Sequence, residues 1–311
     1  MSARPQETRL DLYPSRRGAK PCSIERQDPV VHSAHRQGAP LPPQQICDYE
    51  RNGFLILEQL FDARELELLQ EEAAKLRAAS GQIDATLAVA EPGDSSLRSV
   101  FHVHEISPLL RRIAHDARLV DLAEYILGDR VYVHQSRLNY KPGLSGKEFY
   151  WHSDFETWHV EDGMPRMRAL SVSISLVENT ALNGPLMLIP GSHRRYLSCV
   201  GETPEEHFRQ SLRKQEYGVP DPEALTAFAD DGGITAATGP AGTVALFDCN
   251  TMHGSNGNIT PYPRSNLFIV YNSVSNTVEA PFGPTEPRPE FLAERSDFEH
   301  VKAISGPIRS V

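Results

Sequence analysis

The hydrophobic periodicity of this chain changes at Gly128, and that change limits the possible folds more than any other feature. Before Gly128, apolar residues recur at helical spacing, with helix-start signals at Asp62, Ser107 and Asp116. After Gly128, apolar and polar residues alternate in short segments separated by Gly, Pro and Asn turns. The predicted strands are Val131–Lys141, Arg168–Val177, Leu186–Ile189, Gly242–Asp248 and Ser265–Ser273. The pattern predicts an α+β fold, with helices packed outside an antiparallel barrel or jelly roll.

The chain divides into three regions of different composition. Residues 1–43 contain many prolines and basic residues without sustained apolar periodicity, which is typical of an extended N-terminal arm. Residues 44–311 are predicted to form a single jelly-roll domain. Within this domain, residues 197–240 form a long, acidic, weakly periodic insertion, and connections of this size are often lids or binding loops.

Composition and charge exclude several classes of function. The chain has 41 acidic and 31 basic residues, and its net charge of −10 disfavours a nucleic acid or an anionic membrane as partner. No stretch approaches the roughly 18 apolar residues of a membrane helix, and the first residues lack the apolar block of a secretory signal. The four cysteines include no C-x-x-C pair, so neither a zinc knuckle nor a redox dithiol is predicted. We expect a cytoplasmic protein with reduced cysteines.

Two predicted strands present small or polar side chains on one face. In Arg168–Val177, serines alternate with large apolar residues; in Val131–Lys141, hydrogen-bonding side chains recur at every second position. The residues concerned are Ser171, Ser173 and Ser175 in one strand and Gln135, Arg137 and Asn139 in the other. The serines could line a cavity inside the barrel or could face water, and the sequence leaves both alternatives open.

The clearest chemical signal is the His-x-Asp motif of His152 and Asp154, followed about a hundred residues later by His253. Two imidazoles and one carboxylate on one face of Fe(II) hold the metal and leave three positions open for cosubstrate and oxygen. Neighbouring strands of a jelly roll can bring these residues together despite their separation in sequence. Alone, His-x-Asp is a weak signal because it is common by chance.

Arg264 strengthens this interpretation. It lies eleven residues after His253, at the start of a predicted strand, and a planar guanidinium binds a carboxylate through two parallel hydrogen bonds. At a period of two, Arg264 shares a face with Asn266 and Phe268, so one strand could hold a dicarboxylate and place an aromatic ring beside it. A surface salt bridge is the alternative for Arg264, and the metal motif makes it the weaker one.

His152, Asp154, His253 and Arg264 together resemble the iron- and 2-oxoglutarate-dependent oxygenases of the phytanoyl-CoA hydroxylase superfamily. The segment Pro190-Gly191-Ser192-His193 after a predicted strand resembles another recurrent feature of that superfamily. In the wider pattern a serine often follows the arginine by two places, where this chain has Asn266. The neighbouring Ser255 could supply the second hydrogen bond to a cosubstrate carboxylate instead.

A longer stretch narrows the resemblance. Residues 149–165, which read FYWHSDFETWHVEDGMP, are similar to the signature of the ectoine hydroxylase family, and residues 11–16 and 26–31 are similar to its N-terminal region. The resemblance implies a double-stranded β-helix of cupin type that uses Fe(II), 2-oxoglutarate and O2 to hydroxylate ectoine to 5-hydroxyectoine, with release of succinate and CO2. It also implies a cytoplasmic homodimer that serves compatible-solute biosynthesis under osmotic stress.

The resemblance and the residue patterns together give a set of candidate site residues. The candidate metal ligands, which are also the catalytic residues, are His152, Asp154 and His253. The candidate cosubstrate residues are Arg264, Ser255, Phe149 and Asn139. The candidate substrate residues are Gln135, Trp158 and Phe268. Because ectoine is a cyclic zwitterion, its site should offer aromatic faces to the amidinium and donors to the carboxylate. For Trp158, Phe268 and Phe149, packing in the core is the alternative.

Other histidines and acidic residues near the motif are interpreted as structural. His159 and His193 are interpreted as residues that support the site by hydrogen bonding or packing. Glu156, Glu161 and Asp162 are interpreted as loop structure or surface charge.

Two other functions stay open at this point. The first is an oxygenase of the same superfamily with another small substrate; an acyl-CoA is disfavoured by the acidic charge, and halogenation by Asp154, which occupies the position a halide would need. The second is a jelly-roll binding protein without catalysis. A purely structural metal site would be closed by a fourth protein ligand, which the pattern does not offer.

Overall fold

Three antiparallel sheets hold the strands of this chain in the computed structural model, which describes residues 10–17, 20–33, 38–91, 96–203, 218–284 and 286–309. The strands are β1 (Ser23–Glu25), β2 (Phe54–Leu57), β3 (Ala88–Ala90), β4 (Leu97–Phe101), β5 (Val131–Lys141), β6 (Phe149–His152), β7 (Ala169–Ser175), β8 (Leu186–Leu188), β9 (Arg195–Leu197), β10 (Thr235–Ala236), β11 (Val244–Asp248), β12 (His253–Ser255) and β13 (Arg264–Ser273). The α-helices are α1 (Pro43–Asn52), α2 (Ala63–Ala78), α3 (Val103–Ile106), α4 (Pro108–Ala114), α5 (Ala117–Leu127), α6 (Asp154–Thr157) and α7 (Pro222–Gly232).

Helices α2, α4 and α5 begin at the predicted start signals, and α5 ends at Gly128 as predicted, whereas α1 and α3 were not predicted. Asp62 and Glu65 form a reciprocal capping box at the start of α2, and Ser107 and Asp116 accept backbone N–H bonds at the starts of α4 and α5. Gly128 ends α5 at a φ of +60°, where an added Cβ would lie 2.8 Å from the His32 backbone. Glycine is required there because other residues rarely adopt this conformation and lack the space.

The two larger sheets face each other and form a double-stranded β-helix. One has the strand order β2-β11-β7-β13-β5-β4-β3 and the other the order β10-β8-β12-β6. Leu170, Val172 and Ile174 of β7 join a core cluster with residues of α2, α4 and α5, so the helices cover the outer face of the larger sheet. A second cluster, which includes Leu188 of β8 and Phe247 of β11, fills the space between the sheets. The predicted fold class is confirmed.

The serine face of β7 points into the space between the sheets. Ser171, Ser173 and Ser175 are each at most 4% exposed, and the side-chain amide of Asn266 donates to Ser173 and Ser175. The alternative that these serines face water is therefore wrong. Their small size leaves room beside the metal motif.

A β-bulge decides which side chains of β5 point inward. Val133 pairs with Tyr271 and Gln135 with Val270, so His134 is the extra residue of β5. Val133 packs in the helix-side core, and so does Leu138, five residues later. Strict alternation would place one of these two on the opposite face, and the bulge corrects the register by one residue.

The insertion 197–240 contains more regular structure than the sequence predicts. Helix α7 begins after Asp221, which accepts the N–H groups of Glu223 and Ala224, and β10 pairs with β8. Phe228 of α7 packs against Ile189 and Met252, next to the strand that carries His253. The helix buries a narrow apolar face, and β10 has two residues, so neither gave a clear periodic signal. Residues 204–217 lie outside the described part of the chain.

The described part of the N-terminal arm packs against the domain, and α1 begins at Pro43. Tyr13 is fully buried, and β1 pairs with β9. Arg16 donates to both carboxylate oxygens of Glu156, at 3.0 and 2.6 Å, and to Glu161 at 2.6 Å. The interpretation of Glu156, Glu161 and Asp162 as surface charge is wrong, because each is at most 3% exposed.

Asp162 has its own partner from the C-terminal part of the chain. Arg288 donates to its two carboxylate oxygens at 2.9 and 2.5 Å. Two segments that are distant in the sequence thus hold the residues after the metal motif, and sequence patterns do not report such pairings.

The four cysteines are free. No helix in the described part of the chain is both long and apolar enough to cross a bilayer.

We expect Arg16→Ala to destabilise the protein strongly, because it leaves Glu156 and Glu161 buried without their shared cation, at a cost of roughly 3–5 kcal/mol. Arg17→Ala is the matched control: its side chain is 54% exposed in an ion pair with Asp11, and such pairs contribute about 0–1 kcal/mol. Urea unfolding at constant m-value measures both. Equal losses of unfolding free energy in the two variants would contradict the structural role of Arg16.

Candidate metal centre and cosubstrate cavity

Strands β6 and β12 bring the three candidate metal ligands together. His152 and His253 pair directly across these antiparallel strands, and their ring centroids lie 4.3 Å apart. Asp154 opens α6, whose N-cap Ser153 accepts the N–H of Glu156. Its Oδ1 lies 3.7 Å from Nε2 of His152 and 3.9 Å from Nε2 of His253. The His-x-Asp spacing therefore places the carboxylate at the end of the strand pair.

Hydrogen bonds hold the three side chains in one orientation. Nδ1 of His152 contacts the carbonyl of Tyr150 at 2.6 Å, and Nδ1 of His253 contacts that of Thr251 at 2.9 Å. Since a carbonyl accepts, each Nδ1 carries the proton and each Nε2 keeps its lone pair for a metal. Ser171 donates to the other oxygen of Asp154 at 3.2 Å. The predicted serine face of β7 thus supports the carboxylate.

The donor set fits an Fe(II) site with open positions. One potential ligand atom from each of the three residues lies within 4.8 Å of the others, and no fourth His, Cys, Asp or Glu of the described residues joins the group. Two imidazoles and one carboxylate on one face are the usual ligands of non-haem Fe(II) oxygenases. The set does not fit a closed structural zinc site, which takes four protein ligands.

The electrostatics favour the metal-binding forms of His152 and Asp154. Burial lowers the pKa of His152 to about 4, and the neighbouring His253 adds to this. Burial acts to raise the pKa of Asp154, but the nearby His253 and His152 outweigh it and lower the pKa. A neutral imidazole and an ionised carboxylate are the forms that bind a metal.

A narrow cavity opens beside the triad, and all four candidate cosubstrate residues line it. Its lining residues are Arg137, Asn139, Phe149, His152, Leu186, His253, Gly254, Ser255, Arg264 and Phe268. Asn139 accepts a hydrogen bond from Ser99 at 2.8 Å. The structure therefore places Arg264, Ser255, Phe149 and Asn139 around one space next to the metal ligands.

Arg264 has unused hydrogen-bonding capacity inside the protein. It is 5% exposed, donates from Nη1 to Asn266 at 3.2 Å, and its buried Nε has no partner in the described part of the chain. Burial lowers the pKa of Arg264 to about 10, and the neighbouring Arg98 adds to this. An unpaired buried guanidinium is costly, so the arrangement favours an anion in the cavity.

Two further cations near this cavity were missing from the sequence prediction. Lys141 is 2% exposed and donates to Ser255 at 2.8 Å and to the carbonyl of Asn256 at 2.5 Å. Arg98 is also 2% exposed, pairs with Glu91, and lies 3.7 Å from the ring centroid of Phe149. The alternation along β5 could have found Lys141, since it is the next residue after Asn139 on the polar face. No sequence signal marked Arg98.

The three candidate substrate residues lie in different surroundings. Phe268 lines the cavity, and the guanidinium of Arg137 lies 4.9 Å from its ring centroid. Gln135 donates to the carbonyl of Leu292 at 2.6 Å and accepts from Arg137 at 3.3 Å. Trp158 is 3% exposed in an apolar cluster with Tyr13, Phe155 and Val270. Among the described residues, Gln135 and Trp158 are outside the cavity lining.

The two remaining histidines of the sequence analysis have structural contacts. His159 is fully buried, with Nδ1 at 2.8 Å from the carbonyl of Met164 and Nε2 at 3.0 Å from Asp11. His193 lies against Gly53, and its Nε2 contacts the carbonyl of Glu50 at 3.2 Å.

A double-stranded β-helix that carries a His-Asp-His triad beside a basic cavity defines the class of Fe(II)- and 2-oxoglutarate-dependent oxygenases. Residues 49–266 match the phytanoyl-CoA dioxygenase (PhyH) family. The chain is 58% identical to the ectoine dioxygenase of Sphingopyxis alaskensis over 298 residues, covering 96% of this chain and 97% of that one. It is 54% identical to the ectoine dioxygenase of Bordetella bronchiseptica over 294 residues, covering 94% and 96%.

A solved crystal structure has a fold similar to that of this chain. The crystal structure of EctD from S. alaskensis with 2-oxoglutarate and 5-hydroxyectoine superposes with a TM-score of 0.89 at 53% identity, covering 96% of this chain and 100% of that one. This chain belongs to the phytanoyl-CoA dioxygenase family and, within it, to the ectoine dioxygenases.

Arg264→Ala should weaken 2-oxoglutarate binding by roughly 2–5 kcal/mol, because it removes a charged partner from a buried carboxylate. Iron affinity should stay unchanged, since Arg264 does not contact the triad. Anaerobic titrations with Fe(II) and then 2-oxoglutarate measure the two affinities separately. The exposed Arg64 provides the control variant Arg64→Ala. A similar loss of iron and 2-oxoglutarate affinity would show that Arg264 is structural.

Binding of 2-oxoglutarate should take up a proton at Lys141. Burial lowers the pKa of Lys141 to about 6, and Arg264 and Arg98 add to this, so the amine is mainly neutral at neutral pH in the protein alone. A carboxylate beside it favours the ammonium form and raises the pKa. Affinity for 2-oxoglutarate should therefore fall as the pH rises above about 6.

Titration calorimetry in buffers of different ionisation enthalpy measures the proton uptake. Lys141→Met should abolish the uptake and weaken 2-oxoglutarate binding. A wild-type protein that takes up no proton would show that Lys141 is already charged or does not meet the anion.

Proposed function

We propose that this protein hydroxylates ectoine to 5-hydroxyectoine, consuming 2-oxoglutarate and O2 and releasing succinate and CO2. The observation that carries the proposal is the triad of His152, Asp154 and His253 beside a cavity with the unpaired Arg264. The similarity to ectoine dioxygenases over nearly the whole chain supports ectoine as the substrate.

His152, Asp154 and His253 would hold Fe(II) through their Nε2 and carboxylate oxygen atoms. Bound Fe(II), with 2-oxoglutarate and O2, supplies the oxidation that places one oxygen atom on the substrate and another in succinate. The carbonyls of Tyr150 and Thr251 hold the two imidazoles in one orientation through their Nδ1 atoms. Nε2 of each ring is thereby left available to the metal.

Arg264 and Lys141 would bind the carboxylate of 2-oxoglutarate that is remote from the metal. Both are buried, and the described surroundings of Arg264 include no carboxylate within ion-pair distance. The cavity is lined by Arg137 and Arg264, neither of which has an ion-pair partner among the described residues, and this favours a dianion over a neutral or cationic ligand. Phe149 would lie along the aliphatic chain, held by the guanidinium of Arg98 above its ring.

The substrate would lie between Arg137 and the aromatic residues. Nε of Arg137 is buried without a partner in the described part of the chain, so this guanidinium can bind the ectoine carboxylate. Phe268, under Arg137, would contact the substrate ring, and Gln135 holds Arg137 in place. Trp158, which lies outside the cavity lining in the apolar cluster around Phe155, is the other aromatic residue proposed to contact the substrate.

Several broader features belong to the proposal. Residues 44–311 would form one catalytic domain, with the arm 1–43 bracing the metal segment and the insertion 197–240 acting as a lid. The protein would work as a cytoplasmic homodimer in compatible-solute synthesis during osmotic stress. The bracing role of the arm is supported by the bonds from Arg16 to Glu156 and Glu161.

Ectoine should stimulate 2-oxoglutarate turnover and emerge with one added hydroxyl group. Proline should stimulate poorly, because its ammonium charge is localised and cannot spread over an aromatic face like an amidinium. Succinate assays and mass spectrometry of the iron-loaded enzyme measure both. If ectoine neither accelerates succinate formation nor gains a hydroxyl, the substrate assignment is wrong and another small substrate must be sought.

Trp158→Ala should uncouple succinate formation from hydroxylation, because the substrate is no longer held against the metal. The loss of the cation–π contact alone should weaken ectoine binding by roughly 1–2 kcal/mol. Trp158→Phe keeps an aromatic face and should retain most of the coupling. If both variants lose stability equally and keep the wild-type ratio of succinate to hydroxyectoine, Trp158 is a packing residue.

A further inference from the structure

His134 occupies an unusual position on β5. It is the extra residue of the bulge, between Val133, which pairs with Tyr271, and Gln135, which pairs with Val270. Bulges near active sites turn a side chain that the regular strand would point elsewhere. The His134 ring lies on the side of Trp158, with the two ring centroids 5.2 Å apart.

Both nitrogens of the His134 ring lack a partner. The residue is 1% exposed, and neither Nδ1 nor Nε2 has a hydrogen-bond partner among the described residues. Burial lowers the pKa of His134 to about 3, and the charges of Arg288 and Arg295 add to this while Asp154 opposes it. The ring is therefore neutral, with one N–H donor and one free acceptor.

The neighbouring Gln135 already has its own partners. Gln135 donates to the carbonyl of Leu292 and accepts from Arg137. Arg137, over Phe268, suits a carboxylate. A zwitterion whose carboxylate meets Arg137 still presents the N–H groups of its cationic part, and His134 is the unpaired acceptor beside Trp158.

We propose that His134 orients the substrate by accepting a hydrogen bond from an N–H group of the cyclic amidinium. This inference rests on the proposed function, since it assigns a further contact to the same substrate. A buried polar group without a partner in the protein alone is satisfied when a ligand arrives, which favours ligands that carry a donor at that place. His134 therefore helps to distinguish an amidinium from an apolar ring of similar size.

The test compares His134→Leu, which keeps the volume but loses both nitrogens, with His134→Asn and His134→Gln, which return an acceptor near Nδ1 or Nε2. His134→Leu should raise the KM for ectoine roughly 10–100-fold, as expected for a hydrogen bond to a charged group. Affinities for Fe(II) and 2-oxoglutarate should be unchanged, and more succinate should form per hydroxyectoine. One of the two amide variants should recover most of the loss.

The matched control is His104→Leu. Neither histidine is among the residues that line the cavity. His104 is also buried, with its pKa lowered to about 3 by burial and by the charges of His102 and Arg111, but its Nδ1 contacts Ser136, whereas neither ring nitrogen of His134 has a partner among the described residues. This variant should change stability without changing the KM for ectoine. A wild-type KM in His134→Leu, or equal rises for ectoine and 2-oxoglutarate, would overturn the role of His134.

A second probe avoids dependence on one variant. Ectoine methylated on a ring nitrogen lacks one N–H group, so the wild-type enzyme should discriminate against one of the two methylated isomers, and His134→Leu should lose that discrimination. Equal discrimination in both enzymes would overturn the inference. The activity of the wild-type enzyme on ectoine is measured first, and its absence would overturn the proposed function. If the wild-type enzyme is active and His134→Leu has an unchanged KM for ectoine, only the inference about His134 is overturned.

Discussion

The antiparallel pairing of β6 with β12 is the constraint on which the rest of the site depends. It places His152 opposite His253 at a fixed strand spacing, and the start of α6 then brings Asp154 to the same point. Because strand pairing fixes backbone positions, the two imidazoles need little side-chain adjustment to face one metal. Hydrogen bonds from Nδ1 to backbone carbonyls remove the remaining rotational freedom.

The cavity beside the triad selects its ligand through charge. Arg264 and Arg98 lower the pKa of Lys141, and Arg98 lowers that of Arg264. In the described structure Glu91 is the carboxylate that pairs with Arg98. A protein alone keeps such a cluster only at a cost in stability, which the rest of the fold must offset. The same cost makes an entering dianion favourable. Binding specificity and reduced stability of the ligand-free protein thus have a single origin.

Local signals in the sequence predicted helices α2, α4 and α5 and strands β5, β7, β8, β11 and β13, because helix caps and strand alternation depend on residues near one another. The His-x-Asp motif pointed to side chains that the structure brings together with His253. Local signals failed where distant segments meet. The partners of Glu156, the burial of Arg98 and the bulge at His134 follow from how the sheets and the arm pack. The alternation on β5 correctly grouped the polar residues around Arg137, although the bulge that points them inward was not visible in the sequence. The same alternation places Lys141 on the polar face, two residues after Asn139, although Lys141 was not among the predicted site residues.

The segment that follows Asp154 forms ion pairs with residues near the N-terminus and with residues of the C-terminal region, and these pairs affect the order in which the protein can fold. Arg16 reaches Glu156 across 140 residues of sequence, and Arg288 reaches Asp162 across 126. Contacts of such long range form late in folding, since closing the intervening loops costs entropy first. During synthesis, Asp162 is made before Arg288. The ion pair between them cannot form until the C-terminal region has left the ribosome. A chain that ended before Arg288 would leave Asp162 buried without this paired cation.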